Sequence, residues 1–204
     1  MKINKYFSRI LITAGVLLML YPLFTFLYSY YEQYRLKAAY ELSQEQQGTT
    51  TAEEQDPAIA GGPPSLSFPK DGNFTGAMIE IPAINLSAVV QRGTTSDILN
   101  RGPGWYEQSA LPGQGNTAIA GHRTMYGSWF RHLDSLNTGD DINLTFDGWV
   151  YHYKVERVFP VANNDWSVIE PTEAPALTLT TCHPVGSAAQ RLVVRAALVS
   201  WTKK

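Results

Sequence analysis

The segment DINLTFDGWVYHYKV, residues 141–155, carries the clearest structural signal in this 204-residue chain. Apolar residues alternate with other residues on both sides of the Asp147-Gly148 pair, namely Ile142, Leu144 and Phe146 before it and Trp149, Tyr151, Tyr153 and Val155 after it. A period of two is typical of a strand with one buried face, and Asp-Gly is a preferred two-residue hairpin turn. The segment therefore predicts an antiparallel β-hairpin.

Several other short stretches in the C-terminal part of the chain are patterned as strands. They are residues 79–81, 84–90, 116–123, 176–182 and 190–199. Helical spacing is confined to residues 96–100 and to residues 128–136, where Trp129, Leu133 and Leu136 fall on one side. Many short strands with brief helices between them predict a mostly β fold, an antiparallel barrel or sandwich.

Residues 10–31, ILITAGVLLMLYPLFTFLYSYY, contain no charged side chain. About 20 apolar residues are enough to cross the hydrocarbon core of a bilayer. Lys2, Lys5 and Arg9 flank one side, which predicts a cytoplasmic N-terminus for residues 1–9. A cleavable signal peptide, the alternative, usually has an apolar region of only ~7–15 residues. We therefore expect one uncleaved transmembrane anchor over residues 10–31, with the rest of the chain outside the cell.

The region 32–73 is expected to join this anchor to a folded domain. Residues 32–40 continue the helix, and residues 41–73 are rich in Gln, Thr, Glu, Gly and Pro, a composition typical of a flexible linker. The folded domain is then 74–204, long enough to bury one core. Beyond residue 31 the acidic side chains outnumber the basic ones, which argues against nucleic acid as a partner.

Three side chains could form a catalytic group. Cys182, the only cysteine, ends the run TLTTC, His122 lies near the end of NTAIAGHR, and Arg191 stands nine residues after Cys182. If their strands are neighbours, a thiolate can attack a carbonyl carbon, an imidazolium can protonate the leaving amine, and a guanidinium can stabilise the oxyanion. A zinc site from His122, Cys182 and His183 is the weaker alternative, because no tight ligand pair is present. We expect neither a metal nor a cofactor.

These motifs resemble those of the sortases, the cysteine transpeptidases of Gram-positive cell surfaces. TLTTC is similar to their TLxTC motif, and AIAGHR is similar to their histidine strand. Arg191, nine residues after Cys182, occupies the position of their catalytic arginine. The segments GPGWYEQSALPGQGN, GHRTMYG and TTCHP look most like class E sortases of actinobacteria. The resemblance implies an eight-stranded sortase β-barrel with Cys182 as nucleophile, His122 as general acid/base and Arg191 at the oxyanion. Arg195 would share a strand face with Arg191, so the choice between them rests on family spacing.

By the same resemblance, the reaction cleaves a sorting signal of the Leu-Pro-x-Thr-Gly or Leu-Ala-x-Thr-Gly kind between Thr and Gly. The partners are then surface proteins that bear this signal and an amine acceptor, usually of a peptidoglycan precursor. One alternative is a class C-type pilin polymerase, although Asp56-Pro57 is followed by Ala58 and departs from the Asp-Pro-Trp/Phe lid of that class. The other alternative is a non-catalytic surface scaffold built on the same barrel.

Five further residues are candidates for substrate binding. Thr181 could help to hold the intermediate. Ala118 and Ala120 could leave room for a peptide or could simply pack tightly. Trp166 could line a groove for the signal or plug the open end of the barrel, and His183 could make local hydrogen bonds or border the pocket mouth.

Overall fold

The structure is a computed structural model that describes residues 5–48, 62–64 and 76–204. Its main feature is a closed barrel of eight strands in the order β1-β2-β3-β4-β7-β8-β6-β5, with β5 pairing back to β1. The strands are β1 (Ala77–Ile81), β2 (Leu86–Arg92), β3 (Gly104–Trp105), β4 (Asn116–Ala120), β5 (Asp141–Phe146), β6 (Trp149–Ala162), β7 (Ala176–His183) and β8 (Gln190–Lys203). The predicted barrel is therefore confirmed.

The predicted hairpin is formed by β5 and β6, which pair Phe146 with Trp149 across the turn. Asp147 and Gly148 both adopt the left-handed conformation, with φ of 50° and 75°. Two positive φ values in succession belong to a type I′ turn, whose twist matches that of the flanking strands. The alternating apolar side chains of both strands point inward, and Leu144, Tyr151 and other members are completely buried in the core.

The expectation of a purely antiparallel barrel is wrong at two places. β2 pairs with β3 in parallel, and β4 pairs with β7 in parallel. The β4–β7 pair requires the chain to cross over after β6 through residues 163–175, which include the short 3₁₀ turn Ser167–Ile169. This parallel pair matters for the site because the carboxyl ends of both strands meet at one edge of the barrel.

The helix predicted over residues 128–136 is replaced by two 3₁₀ turns, Tyr126–Ser128 and Leu133–Ser135. Ser128 has a positive φ, which a right-handed helix does not allow. His132, with φ of −103° and ψ of 19°, departs from helical geometry between the two turns. Leu133 and Leu136 are nevertheless buried in the core, with Trp129 packed against it. Burial of this face, rather than helix formation, accounts for the apolar spacing. The other predicted helix is α2 (Ser96–Leu99).

The N-terminal helix, α1 (Lys5–Gly48), is one element of 44 residues. Among the described residues it is the single helix long and apolar enough to cross a membrane, with a mean hydropathy of 2.3 in its most apolar stretch, none of which is buried. The helix ends eight residues beyond Tyr40, so it is longer than expected. Most of the proposed linker, including Asp56-Pro57, lies outside the described residues.

Candidate active site

The parallel pairing of β4 and β7 brings the two candidate catalytic segments side by side. Ala120 is opposite Thr180, so His122 and Cys182 each follow the end of this paired stretch by two residues, at the same edge of the barrel. Hydrogen bonds maintain this alignment beyond the end of β4. Gly121 N–H donates to the Thr180 carbonyl at 3.1 Å, and the Thr181 hydroxyl donates to the Gly121 carbonyl at 2.7 Å.

Cys182 and Arg191 are directly opposite each other on the antiparallel strands β7 and β8. Arg191 Nη1 lies 2.9 Å from Cys182 Sγ. A guanidinium can only donate hydrogen bonds, so the sulfur is the acceptor. The contact therefore places a permanent positive charge beside the sulfur atom, and the thiolate is the reactive form of cysteine.

His122 is half-buried at the end of its strand, and its imidazole is held from two sides. Its Nε2 lies 3.3 Å from Asn100 Oδ1, and its ring centroid lies 5.5 Å from that of Tyr126. Burial lowers the pKa of His122 below 6.5 and so favours the neutral ring. When Nε2 donates to Asn100, Nδ1 is the nitrogen that can accept a proton. Within the described part of the chain, no hydrogen bond joins this ring to the Cys182 thiol.

Arg123 is the site residue whose importance the sequence did not indicate. Its Nη2 lies 2.7 Å from Asp134 Oδ2, and the arginine is only 2% exposed. Its Nη1 donates to the Cys182 carbonyl at 3.2 Å and lies 3.0 Å from His183 Nδ1. The side chain therefore ties the loop after His122 to the end of β7. The one signal available in the sequence is that Arg123 directly follows His122.

Two of the substrate-binding candidates have structural partners. The Thr181 side chain is 3% exposed, and its hydroxyl is engaged with the Gly121 carbonyl. His183 makes the local hydrogen bond expected of it, with Arg123 as the donor. Both residues thus hold the end of β7, and direct contact of either with substrate stays a prediction.

The remaining three candidates lie along the outer face of β4 and the segment that crosses it. Ala118 has no exposed surface and packs against Val168, Ile169 and Val193, and its contact with a peptide stays a prediction. Ala120 is 8% exposed. Trp166 is 60% exposed and meets Tyr106 edge-on, and its contact with the signal stays a prediction.

Arg195 lies on the same face of β8 as Arg191, as the even spacing predicted, but its contacts differ. It pairs in register with Thr178, and its Nη2 donates to the Val168 carbonyl at 3.0 Å. Burial and the nearby Arg157 lower its pKa. Arg191, and not Arg195, is therefore the arginine that reaches the Cys182 sulfur.

The described side chains include no group of three or more His, Cys, Asp or Glu residues placed to hold a metal ion. The chemistry that the site offers with its own residues is that of a thiolate beside a fixed cation, with an imidazole on the adjacent strand.

Comparison with known proteins agrees with this arrangement. Residues 79–199 match the family model described as Sortase domain. The chain is 31% identical to sortase D of Bacillus subtilis (strain 168) over 163 residues, which is 78% of each protein. It is 27% identical to sortase SrtE1 of Streptomyces coelicolor over 96% of this chain and 57% of that protein.

Solved structures give the same result. Sortase E of Streptomyces avermitilis is 35% identical, with a TM-score of 0.57 over 62% of this chain and 89% of that one. Sortase E1 of Streptomyces coelicolor, solved with a tripeptide in its active site, is 26% identical, with a TM-score of 0.60 over 63% of this chain and 90% of that one. Because the family model covers more than half of the chain and the barrel is shared, the protein belongs to the sortase family of cysteine transpeptidases and is similar to class E.

Proposed function

We propose that this sortase is anchored in the cell membrane by α1, with its N-terminus in the cytoplasm and its barrel outside. It cleaves a C-terminal sorting signal of the Leu-Pro-x-Thr-Gly or Leu-Ala-x-Thr-Gly type between Thr and Gly. It then transfers the protein to an amine, that of a peptidoglycan precursor. The observation that supports this proposal best is the 2.9 Å contact between Arg191 Nη1 and Cys182 Sγ, because it joins a nucleophile to a fixed positive charge.

The proposed first half-reaction forms a thioester. The Cys182 thiolate attacks the carbonyl carbon of the signal threonine, and the carbonyl oxygen takes up the negative charge. When the tetrahedral intermediate collapses, the carbon–nitrogen bond to glycine breaks, and His122 gives the departing amine the proton that it took up when the Cys182 thiol ionised. Once sulfur is acylated it no longer carries charge, which frees the Arg191 guanidinium for a carbonyl oxygen of the substrate.

The second half-reaction reverses these roles. The acceptor amine attacks the thioester carbon, His122 takes the proton from the attacking nitrogen, and the Cys182 thiolate leaves. A new amide replaces the one that was cleaved, so the exchange needs no external energy source. A low pKa for His122 helps this step, because a neutral imidazole is the form that accepts a proton.

We further propose that the signal peptide lies along the outer face of the barrel, beside the segment 163–175. Cys182 is at one end of this face. The exposed indole of Trp166 stands beside Tyr106, whose hydroxyl is 3.0 Å from Thr180 Oγ1. These aromatic side chains offer the apolar contact that the leucine at the start of the signal needs.

The experiment that tests the proposal compares the wild type with Cys182→Ala on fluorogenic Leu-Pro-x-Thr-Gly and Leu-Ala-x-Thr-Gly peptides. We expect complete loss of cleavage in the variant, because no other thiol exists. Mass spectrometry of the wild type without an acceptor amine should show the acyl fragment attached to the peptide that contains Cys182. Cleavage that survives in Cys182→Ala would refute the proposed mechanism. A wild type that cleaves neither peptide would refute the proposed signal.

A further inference from the structure

One face of α1 is packed against the barrel rather than left free. The buried positions of the helix include Thr25, Ser29, Gln33 and Tyr40, at intervals of four, four and seven residues. Such intervals place side chains on one face of an α-helix. We call these four residues the seam. Thr25, Ser29 and Gln33 have aliphatic polar side chains. The seam is therefore suited to hydrogen bonding with protein and not to contact with lipid chains.

The central contact of the seam closes an open strand edge. β3 pairs with β2 only at Gln91 and Arg92, which leaves the Val89 peptide without a strand neighbour on that side. Gln33 Oε1 accepts from the Val89 N–H at 2.8 Å, and Gln33 Nε2 donates to the Val89 carbonyl at 3.0 Å. The carboxamide thus takes the place of a neighbouring strand, and because both buried peptide groups depend on it, the helix has one preferred position on the barrel.

A second contact ties the helix to the loop that follows His122. The Ser29 hydroxyl donates to the Tyr126 carbonyl at 2.7 Å and accepts from Trp129 Nε1 at 3.0 Å. The ring of Tyr30 lies 5.2 Å from that of Trp129. The loop 124–129 is therefore held by α1 at its polar backbone and at an aromatic side chain.

The apolar half of α1 places the membrane surface close to this loop. Starting at Ile10, the first uncharged residue after Arg9, about 20 residues cross the ~30 Å hydrocarbon core at the helical rise. The large apolar side chains in this stretch are exposed. The end of the hydrocarbon core then falls near Ser29, at the level of its contacts with the loop.

A cleft of about 1190 Å³ opens at this level between α1 and the barrel. Phe26, Met125 and Trp129 are among its apolar lining residues, and Lys37 and Arg131 are among its basic ones. Met125 is 48% exposed although it is apolar. The apolar side chains next to the membrane helix are suited to contact with acyl chains. The cationic side chains are suited to contact with lipid phosphate groups.

We propose that this cleft and the loop 124–129 are seated in the outer headgroup layer of the membrane. The Met125 side chain faces the acyl chains, and Arg131 faces the lipid phosphates. The seam makes α1 and the barrel one rigid body, so that the mouth of the active site at His122 is held one loop away from the bilayer surface. This inference rests on the proposed membrane anchoring by α1.

The test uses the full chain in phospholipid vesicles whose two leaflets carry a headgroup-attached fluorescence quencher. In a Cys182→Ala background, one environment-sensitive fluorophore is attached at Met125→Cys, at Lys203→Cys or at Leu17→Cys. Lys203 is the matched control, because the exposed end of β8 lies beside Tyr40, where Lys204 Nζ is 5.6 Å from the ring centroid. Tyr40 is ~16 Å farther along the helix than Ser29. The Leu17 site, read with an acyl-chain quencher, reports on anchoring alone.

We expect severalfold stronger headgroup quenching at Met125 than at Lys203, together with strong acyl-chain quenching at Leu17. Adding Gln33→Ala should lower the Met125 signal towards that of Lys203, because the barrel is then released from the helix. Quenching at Met125 no greater than at Lys203, with Leu17 still quenched, would overturn this inference and leave the anchoring intact. Loss of quenching at Leu17 would overturn the anchoring itself. An unchanged Met125 signal in Gln33→Ala would overturn the role of the seam.

Discussion

Replacing Arg191 by lysine should disable the enzyme although it conserves the positive charge. Arg191 Nη1 lies 2.9 Å from Cys182 Sγ, so its positive charge attracts the negative charge that develops on the sulfur and on the oxyanion. An ammonium keeps much of this attraction but offers a single point of contact where the guanidinium offers a planar fork. We therefore expect the loss typical of one oxyanion donor, ~10²–10³ in kcat/KM, or ~2.7–4 kcal/mol.

The matched control is the same substitution four residues later, Arg195→Lys. Arg195 donates to the Val168 carbonyl and does not reach the sulfur. Its replacement should leave kcat/KM within a few-fold of the wild type, and so should Arg195→Ala. The assay is turnover of a fluorogenic sorting peptide by each variant after circular dichroism has established a native fold. A fully active Arg191→Lys enzyme beside an inactive Arg195 variant would refute the assignment and the geometry behind it.

Two further predictions concern stability. Because burial lowers the pKa of His122 below 6.5, the unfolded chain binds a proton before the folded one as pH falls, and stability is lost below that pH. Between about pH 7.5 and pH 5, the melting temperature should fall more steeply for the wild type than for His122→Gln; parallel curves would contradict this. Asp134→Asn removes the anionic partner of the buried Arg123 and should cost ~1–3 kcal/mol in urea unfolding. Asp141→Asn, at an exposed ion pair, should cost ~0–1 kcal/mol, and equal losses would contradict the argument.

Sequence alone was sufficient wherever a short-range rule governs the structure. The alternation around Asp147-Gly148 specified a hairpin, because a period of two buries one face and the turn residues tolerate positive φ. The uncharged run at residues 10–31 specified a helix of membrane length, for which composition is enough. The resemblance to the family motif, and not a local rule, singled out Arg191, and the pairing of β7 with β8 sets it opposite Cys182.

Tertiary structure decided what depends on pairing between distant segments. The two-residue strand β3 has no pattern of its own and exists because β2 and β4 bind it from either side. Arg123 is buried and Trp166 is exposed because β7 pairs with β4 in parallel. The local sequence pattern does not specify this pairing. The attachment of Gln33 to Val89 likewise arises because barrel closure leaves one peptide edge open. Local periodicity records which face of an element is buried, whereas the identity of the partner that covers it depends on the whole chain.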